Sequence, residues 1–365
     1  MDATSGAGNT RGRRRFGLHG SRGRSKDRPE PEAVAPGKAP EREAYYGALD
    51  LGTNNCRLLI AAPAAHGFHV RDAFSRIVRL GEGLGKTGAL NASAMDRTIE
   101  ALRVCSNKLV WHKVKKHRLI ATEACRMASN GAEFIARVIN ETGLELEIID
   151  RETEARLAAT GAEPLIDPDA QSALVFDIGG GSTEVMWVEQ SGGKKELLAW
   201  TSLAAGVVTI SEQFGGGIEV TDRSFAAMRE YLRPLLAEFV ARIHKLKGSA
   251  PLPSHLLGTS GTVTTIAGVQ LGLRRYDRSK VDGCWLLSDD VGKVTADLLA
   301  MSYEERMMNA CIGRERADLV MAGCAILEEI RLAFPASRIR VADRGLREGI
   351  LTQLMMEDGT YGRAS

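Results

Sequence analysis

Two rhythms of apolar and polar residues alternate along this chain. From Tyr46 to Ala61, and again from Phe68 to Leu80, apolar residues are spaced for strands. Met95, Ile99, Leu102 and Leu109 recur at helical spacing, with Ser93 and Asp96 placed as a capping box. A strand follows over Arg118–Thr122. The next helix is expected to be capped by Asn130, with Glu133 three residues on, and ended by Gly143. Glu145–Ile149 reads as a strand, and Thr153–Thr160 as a helix stopped by Gly161. A crossing segment over Glu163–Gln171, with two prolines, precedes a second set of the same kind. This set has strands at Ala173–Phe176, Val185–Val188 and Leu197–Ser202, and a helix over Val207–Phe214. A long helix over Asp222–Leu246 should be kinked or divided by Pro234. His255–Leu257 and Arg338–Val341 read as strands. Helices are expected over Gly261–Leu271, Asp290–Leu299, Tyr303–Ala310, Glu315–Phe334 and Leu346–Met356. Strands alternating with helices predict an α/β fold, duplicated as domains over 43–168 and 169–365, with the last helix available to pack back on the first.

The chemistry is concentrated where strands meet glycines. ALVFDIGGGSTEVMWV, Ala173–Val188, is strand, turn, strand, with Gly179, Gly180 and Gly181 in the turn. Three glycines let the backbone approach a ligand closely. Backbone N–H groups then converge on an anion, joined by the hydroxyls of Ser182 and Thr183. Asp177 and Glu184 flank the loop, and carboxylates beside a phosphate suit Mg²⁺ or Mn²⁺. One such hairpin is ordinary. YGALDLGTNNCRLLI, Tyr46–Ile60, repeats its grammar, with Asp50, Gly52, Thr53 and Asn54 at the turn. A third loop, Leu256–Thr262, places Gly258, Ser260 and Gly261 before a helix. The three together predict two related domains facing one phosphate chain across a cleft.

Composition narrows the setting. The 365 residues are 44% hydrophobic and 26% charged, and they contain no apolar run long enough to span a membrane and no secretory leader core. Six scattered cysteines, without a Cys-x-x-Cys pair or a histidine cluster, suit a reduced cytoplasmic protein without zinc. The seven histidines show no ligand spacing. Residues 1–42 carry ten Arg and Lys against five Asp and Glu, although the net charge of the whole is only +2. A basic, disordered tail is expected there. Its Arg11–Arg15 run offers at most a weak hold on nucleic acid or another polyanion.

These pieces resemble the exopolyphosphatase and guanosine pentaphosphate phosphohydrolase family. The resemblance rests on DLGTNNCRLLI at Asp50–Ile60, ATEACR at Ala121–Arg126, EIIDRETEARL at Glu147–Leu157, FDIGGGSTE at Phe176–Glu184, GTSGT at Gly258–Thr262 and DRGLREGIL at Asp343–Leu351. It implies two ribonuclease-H-like domains of the actin, heat-shock-chaperone and sugar-kinase superfamily, with an interdomain cleft. It implies hydrolysis of a phosphoanhydride with Mg²⁺, held by Asp177 and Glu184, and with Asp50 nearby. Glu154 of the EAR segment matches the family's water activator, with Glu152 and Glu123 as near neighbours. Arg57 and Arg126 are candidates to grip phosphate, since guanidinium does so in a bidentate way.

Polyphosphate is the expected substrate, because the chain resembles the short two-domain members. Guanosine pentaphosphate, in a stringent-response role, is the alternative. A small-molecule kinase and a nucleotide-switch protein are the distant rivals, and a homodimer is left open.

Overall fold

The structure, a computed structural model, describes residues 44–248 and 252–362. The basic tail expected over residues 1–42 lies outside them. Among the described residues eleven strands fall into two sheets, with thirteen α-helices and one short 3-10 turn at Glu163–Leu165. In the first, β1 (Tyr46–Leu51), β2 (Asn55–Ala64) and β3 (Gly67–Ile77) form an antiparallel meander, and β4 (Lys116–Ala121) and β5 (Glu147–Ile148) add in parallel on the other side of β1. The spatial order is β3-β2-β1-β4-β5. Helices α1 (Leu84–Thr87), α2 (Ala92–Trp111), α3 (Glu123–Met127) and α4 (Gly131–Thr142) make the connections, and α5 (Arg151–Ala162) leads out of this lobe.

The second lobe repeats the plan. β6 (Ser172–Ile178), β7 (Thr183–Ser191) and β8 (Lys194–Leu203) form the meander, followed by α6 (Val207–Gln213) and α7 (Asp222–Lys247). β9 (His255–Thr259) joins β6 in parallel and leads into α8 (Ser260–Gln270) and α9 (Arg278–Val281). β10 (Trp285–Leu287), α10 (Ser288–Ala300), α11 (Tyr303–Met308), α12 (Val320–Ala333), β11 (Arg338–Val341) and α13 (Leu346–Glu357) complete the lobe. Its order, β10-β11-β9-β6-β7-β8, is that of the first sheet with β10 added at the edge.

Period-two alternation explains where the layers and the site lie. In β1, Leu49 and Leu51 bury against α2 and α4. Tyr46 and Ala48 point the other way, against Ile350, Leu351 and Met355 of α13. Asp50 belongs to this second stripe by parity. In the second sheet, Leu174 and Phe176 join the main core with α7 and α12, while Ala173 and Val175 face Ala155, Ala158 and Ala162 of α5. Asp177 continues that stripe. Each lobe therefore lends a helix to the other: α5 covers the second sheet and α13 the first.

The two helices cross almost backbone to backbone. A Cβ on Gly161 would lie 1.8 Å from the Gly345 carbonyl oxygen, and one on Gly349 would lie 2.0 Å from that of Leu157. Gly161 is therefore no helix stop. It sits inside α5 because only glycine lets α13 this close.

Other boundaries also differ from expectation. Asn91, not Ser93, caps α2, accepting from the Ala94 N–H at 2.8 Å, while Asp96 pairs with Arg137. Asn130 precedes α4, but its amide bridges Leu90 instead, donating to the carbonyl and accepting from the N–H. Helix α7 runs undivided through Pro234. The helix expected from Glu315 begins only at Val320, leaving 313–319 as turns.

Candidate active site

Both Asp-x-Gly hairpins meet at one pair of adjoining cavities. The smaller, about 130 Å³, is lined by Asp50, Gly52, Thr53 and Asn54 from the first loop and by Asp177, Gly179, Gly180, Gly181, Ser182 and Glu184 from the second. Arg57, Glu123, Glu154, Ser260, Gly261 and Arg316 complete its wall. The larger, about 500 Å³, shares Asp50, Arg57, Asp177, Ser260, Gly261 and Arg316 with it and adds Arg278, Arg314, Arg344 and Arg347. The loops touch closely, since a Cβ on Gly180 would lie 2.9 Å from Cβ of Thr53 and one on Gly181 would lie 2.7 Å from its hydroxyl.

Pairing across the strands sets the charged groups. Asp50 stands opposite Arg57, and Asp177 opposite Glu184. Glu184 is almost wholly buried and accepts hydrogen bonds from the hydroxyls of Ser182 and Ser202, each at 2.8 Å. Asp150 caps α5, taking the Thr153 N–H at 2.7 Å, which places Glu154 in the first helical turn beside the small cavity. Arg126 grips Glu154 at 3.0 Å and also pairs with Glu123. Arg151 binds Glu123 from the other side at 2.7 Å.

Burial dominates the electrostatics. It raises the Asp50 carboxyl to about 6, with Arg57 and Arg347 opposing the rise and Asp177 and Glu348 adding to it. Burial, then the neighbouring Asp177, pushes Glu184 to about 7, although its two serine donors resist. Glu154 is raised well above the usual carboxylate range by burial and by the Glu184 charge, which Arg126 only partly offsets. Burial raises Asp177 as well. Glu123 differs: burial opposes its charge too, but hydrogen bonds from Arg151 and Arg126 outweigh that and hold it low.

Four acidic groups crowded out of water are short of positive charge, and a divalent cation would supply it. Among the described residues no three His, Cys, Asp or Glu side chains converge as a ready-made metal cluster. The donor set fits an ion held by one or two carboxylates and completed by water and phosphate oxygens, which is how Mg²⁺ binds. Two further signs mark a ligand site. The Asn54 Oδ1 and Ser260 Oγ atoms are buried without a hydrogen-bond partner, and Ser260 holds φ at 95°, a strained value for a residue other than glycine.

Three expected site residues lie off both cavity walls. Gly258 makes room for packing, as a Cβ there would lie 2.6 Å from the Phe176 ring. Thr183 is fully buried, and its hydroxyl donates to the Ala205 carbonyl at 2.6 Å. Arg126 stands behind Glu154 and does not face the cavity. The sequence reading missed Arg316, Arg314 and Arg278. Nothing in a hydrophobic pattern flags an arginine in a turn, and two of these stood inside or just before an expected helix. Arg344 and Arg347 were within reach, because they lie in the quoted DRGLREGIL segment.

A duplicated meander sheet, with paired glycine hairpins facing a carboxylate-lined cleft between lobes, is the two-domain actin-like fold. Within it, the chain belongs to the Ppx/GppA phosphatase family, which matches residues 59–358. It is thereby a phosphoanhydride hydrolase, and the kinase and nucleotide-switch rivals fall away. It is similar to Exopolyphosphatase 2 of Mycobacterium tuberculosis, 28% identical over 320 residues that cover 84% of this chain and 97% of that protein. Among solved structures, it is similar to the Ppx/GppA family member of Aquifex aeolicus, with a TM-score of 0.71, 28% identity and coverage of 88% of this chain and 99% of the other. It is also similar to an exopolyphosphatase from Cytophaga hutchinsonii, with a TM-score of 0.77, 26% identity and coverage of 88% and 100%.

Proposed function

We propose that this protein is an exopolyphosphatase that releases orthophosphate from the ends of inorganic polyphosphate with the help of Mg²⁺ or Mn²⁺. The observation that carries this reading is the joining of two unequal spaces. A small one holds Glu154 and both glycine hairpins, and it adjoins a larger one walled by six arginines, Arg57, Arg278, Arg314, Arg316, Arg344 and Arg347. A terminal phosphate fits the first, and the rest of a linear polyanion the second. A cytoplasmic site of action follows the cysteine usage.

The terminal phosphate would lie between the N–H groups of Gly179–Gly181 and those of Gly52–Asn54, with the Ser182 hydroxyl nearby. Asp177 and Glu184 would hold the cation, with Asp50 beside it; when bound, the ion neutralises phosphate charge at the bond being broken. Glu154 takes the proton from the attacking water. Its raised affinity for protons suits a base. Arg126 keeps the carboxylate aimed and enough of it ionised to act. Arg57 and Arg316, on the wall common to both spaces, steady the bridging and leaving oxygens.

Tyr276 favours a second reading. It lies in the wall of the larger cavity and donates to Asp343 at 2.7 Å, which brings one aromatic side chain to the space a guanine would enter. Guanosine pentaphosphate is therefore the alternative substrate. Phosphate release from polyphosphate, pentaphosphate nucleotide and ATP, measured side by side, tests the choice. A kcat/KM far higher on the pentaphosphate than on polyphosphate overturns the first reading in favour of the second.

A further inference from the structure

Arg79 lies just past β3, lines neither cavity and yet is held in an unusual way. Its φ of 49° is left-handed, a conformation that costs energy in a residue with a side chain. Its own segment is tied to the first phosphate loop. The N–H groups of Val78 and Arg79 both donate to the Asn54 carbonyl, at 2.9 and 3.1 Å, and that of Gly81 to the Thr53 carbonyl at 2.9 Å. Its side chain crosses to the second lobe, where the guanidinium grips the Asp318 carboxylate with two hydrogen bonds, at 2.7 and 3.2 Å, and reaches the Glu315 carbonyl at 3.2 Å.

Asp318 is anchored in turn. Its carbonyl accepts the Ser211 hydroxyl at 2.8 Å, and it lies two residues beyond Arg316, whose guanidinium lies over Gly261 at the junction of the cavities. A second bond runs along the same seam, from the Gly83 N–H to Glu212 Oε1 at 2.9 Å. Neither link belongs to the α5–α13 crossing.

We propose that Arg79 and Asp318 form a clasp between the lobes, which holds the Thr53–Asn54 loop and the Arg316 turn in register across the cleft. Arg79 is thus a positioning residue that acts without touching substrate. The strained backbone at Arg79 is the cost of aiming the side chain across the seam, and the two-pronged ion pair repays it. Because the pair is part-exposed, salt weakens it.

This inference rests on the polyphosphatase reading for its kinetic test but not for its structural one. The variants are Arg79→Asp, Asp318→Arg and the double exchange, in the full chain. Each single reversal opposes like charges and lowers the fraction of molecules with the lobes in register, so KM for polyphosphate should rise roughly fivefold or more while kcat at saturation changes little. The double exchange should return KM to within about twofold of wild type. In parallel, small-angle scattering of the protein without substrate should give a larger radius of gyration for each single variant and the wild-type value for the double exchange. Single variants that match wild type in both KM and radius overturn the clasp. So does a raised KM that the double exchange leaves unrescued at an unchanged radius, which would place Arg79 in direct contact with substrate. Should wild type leave polyphosphate uncleaved, the substrate reading fails, and the scattering series still decides on the clasp.

Discussion

Replacing Glu184 with glutamine removes a charge and little else. The amide oxygen can still accept from Ser182 and Ser202, and the volume is nearly the same. The effect on stability follows from burial. The carboxyl holds its proton up to about pH 7 in the fold, against an ordinary glutamate value of 4.5. A group with a raised folded pKa favours the fold when protonated. Below about pH 4 both folded and unfolded chains carry the proton, and the charge costs nothing. As pH rises through this window the unfolded chain ionises first, and wild type loses stability relative to Glu184→Gln. Above about pH 7 the loss levels off at roughly 3 kcal/mol, at 1.36 kcal/mol for each pH unit. In chelator, urea unfolding should therefore find the variant more stable by about 3 kcal/mol at pH 8 and by less than about 1 kcal/mol at pH 5. Mg²⁺ should then narrow or reverse the order at pH 8, because an ion at a hundred times its Kd adds about 2.7 kcal/mol to the protein that binds it. Equal midpoints at pH 8 without metal, or a gap that widens toward pH 5, would refute the reasoning.

Glu154→Gln should lower kcat by about 10²- to 10⁴-fold with KM little changed and melting temperature no lower than wild type; turnover within a few-fold of wild type removes Glu154 from the mechanism. Arg126→Gln withdraws the cation that restrains the Glu154 pKa, so the acidic limb of the kcat–pH profile should move to higher pH; an unmoved limb detaches Arg126 from the base. Gly349→Ala forces a methyl into the Leu157 carbonyl and should cost at least about 1–3 kcal/mol in denaturant melts, whereas Gly85→Ala, which meets nothing within 4 Å, should cost far less. Deleting residues 1–40 should leave kcat nearly unchanged, since the first phosphate loop begins only at Asp50; a large fall would mean that the tail enters the site.

The sequence revealed the hairpins because their signal is local. An apolar run, an aspartate, glycines and a second apolar run can be read within a few residues, and the same stretch then fixes register and parity. That is why Asp50, Asp177 and Glu184 are found on one cavity. Gly161 defeated the same kind of reading. A glycine late in a helical pattern looks like a stop, and only the distant Gly345 and Gly349 reveal it as a place where two helices touch. Thr183 and Gly258 stand in the right loops, but their surroundings turn them inward. The arginines of the 313–319 turn left no periodic trace, and the Arg79–Asp318 pair joins residues too far apart for spacing to suggest.

Because α13 supplies the apolar cover for the inner face of the first sheet, that sheet stays incomplete while the chain is being made. Tyr46, Ala48 and Leu59 leave the ribosome long before their partners Ile350, Leu351 and Met355, with the whole second sheet made in between. For most of translation this surface is exposed apolar area, which can bind a chaperone or aggregate. The first lobe should therefore resist proteolysis only once residue 357 has cleared the ribosome, and a chain released at residue 340 should leave it as open to protease as one released at residue 170.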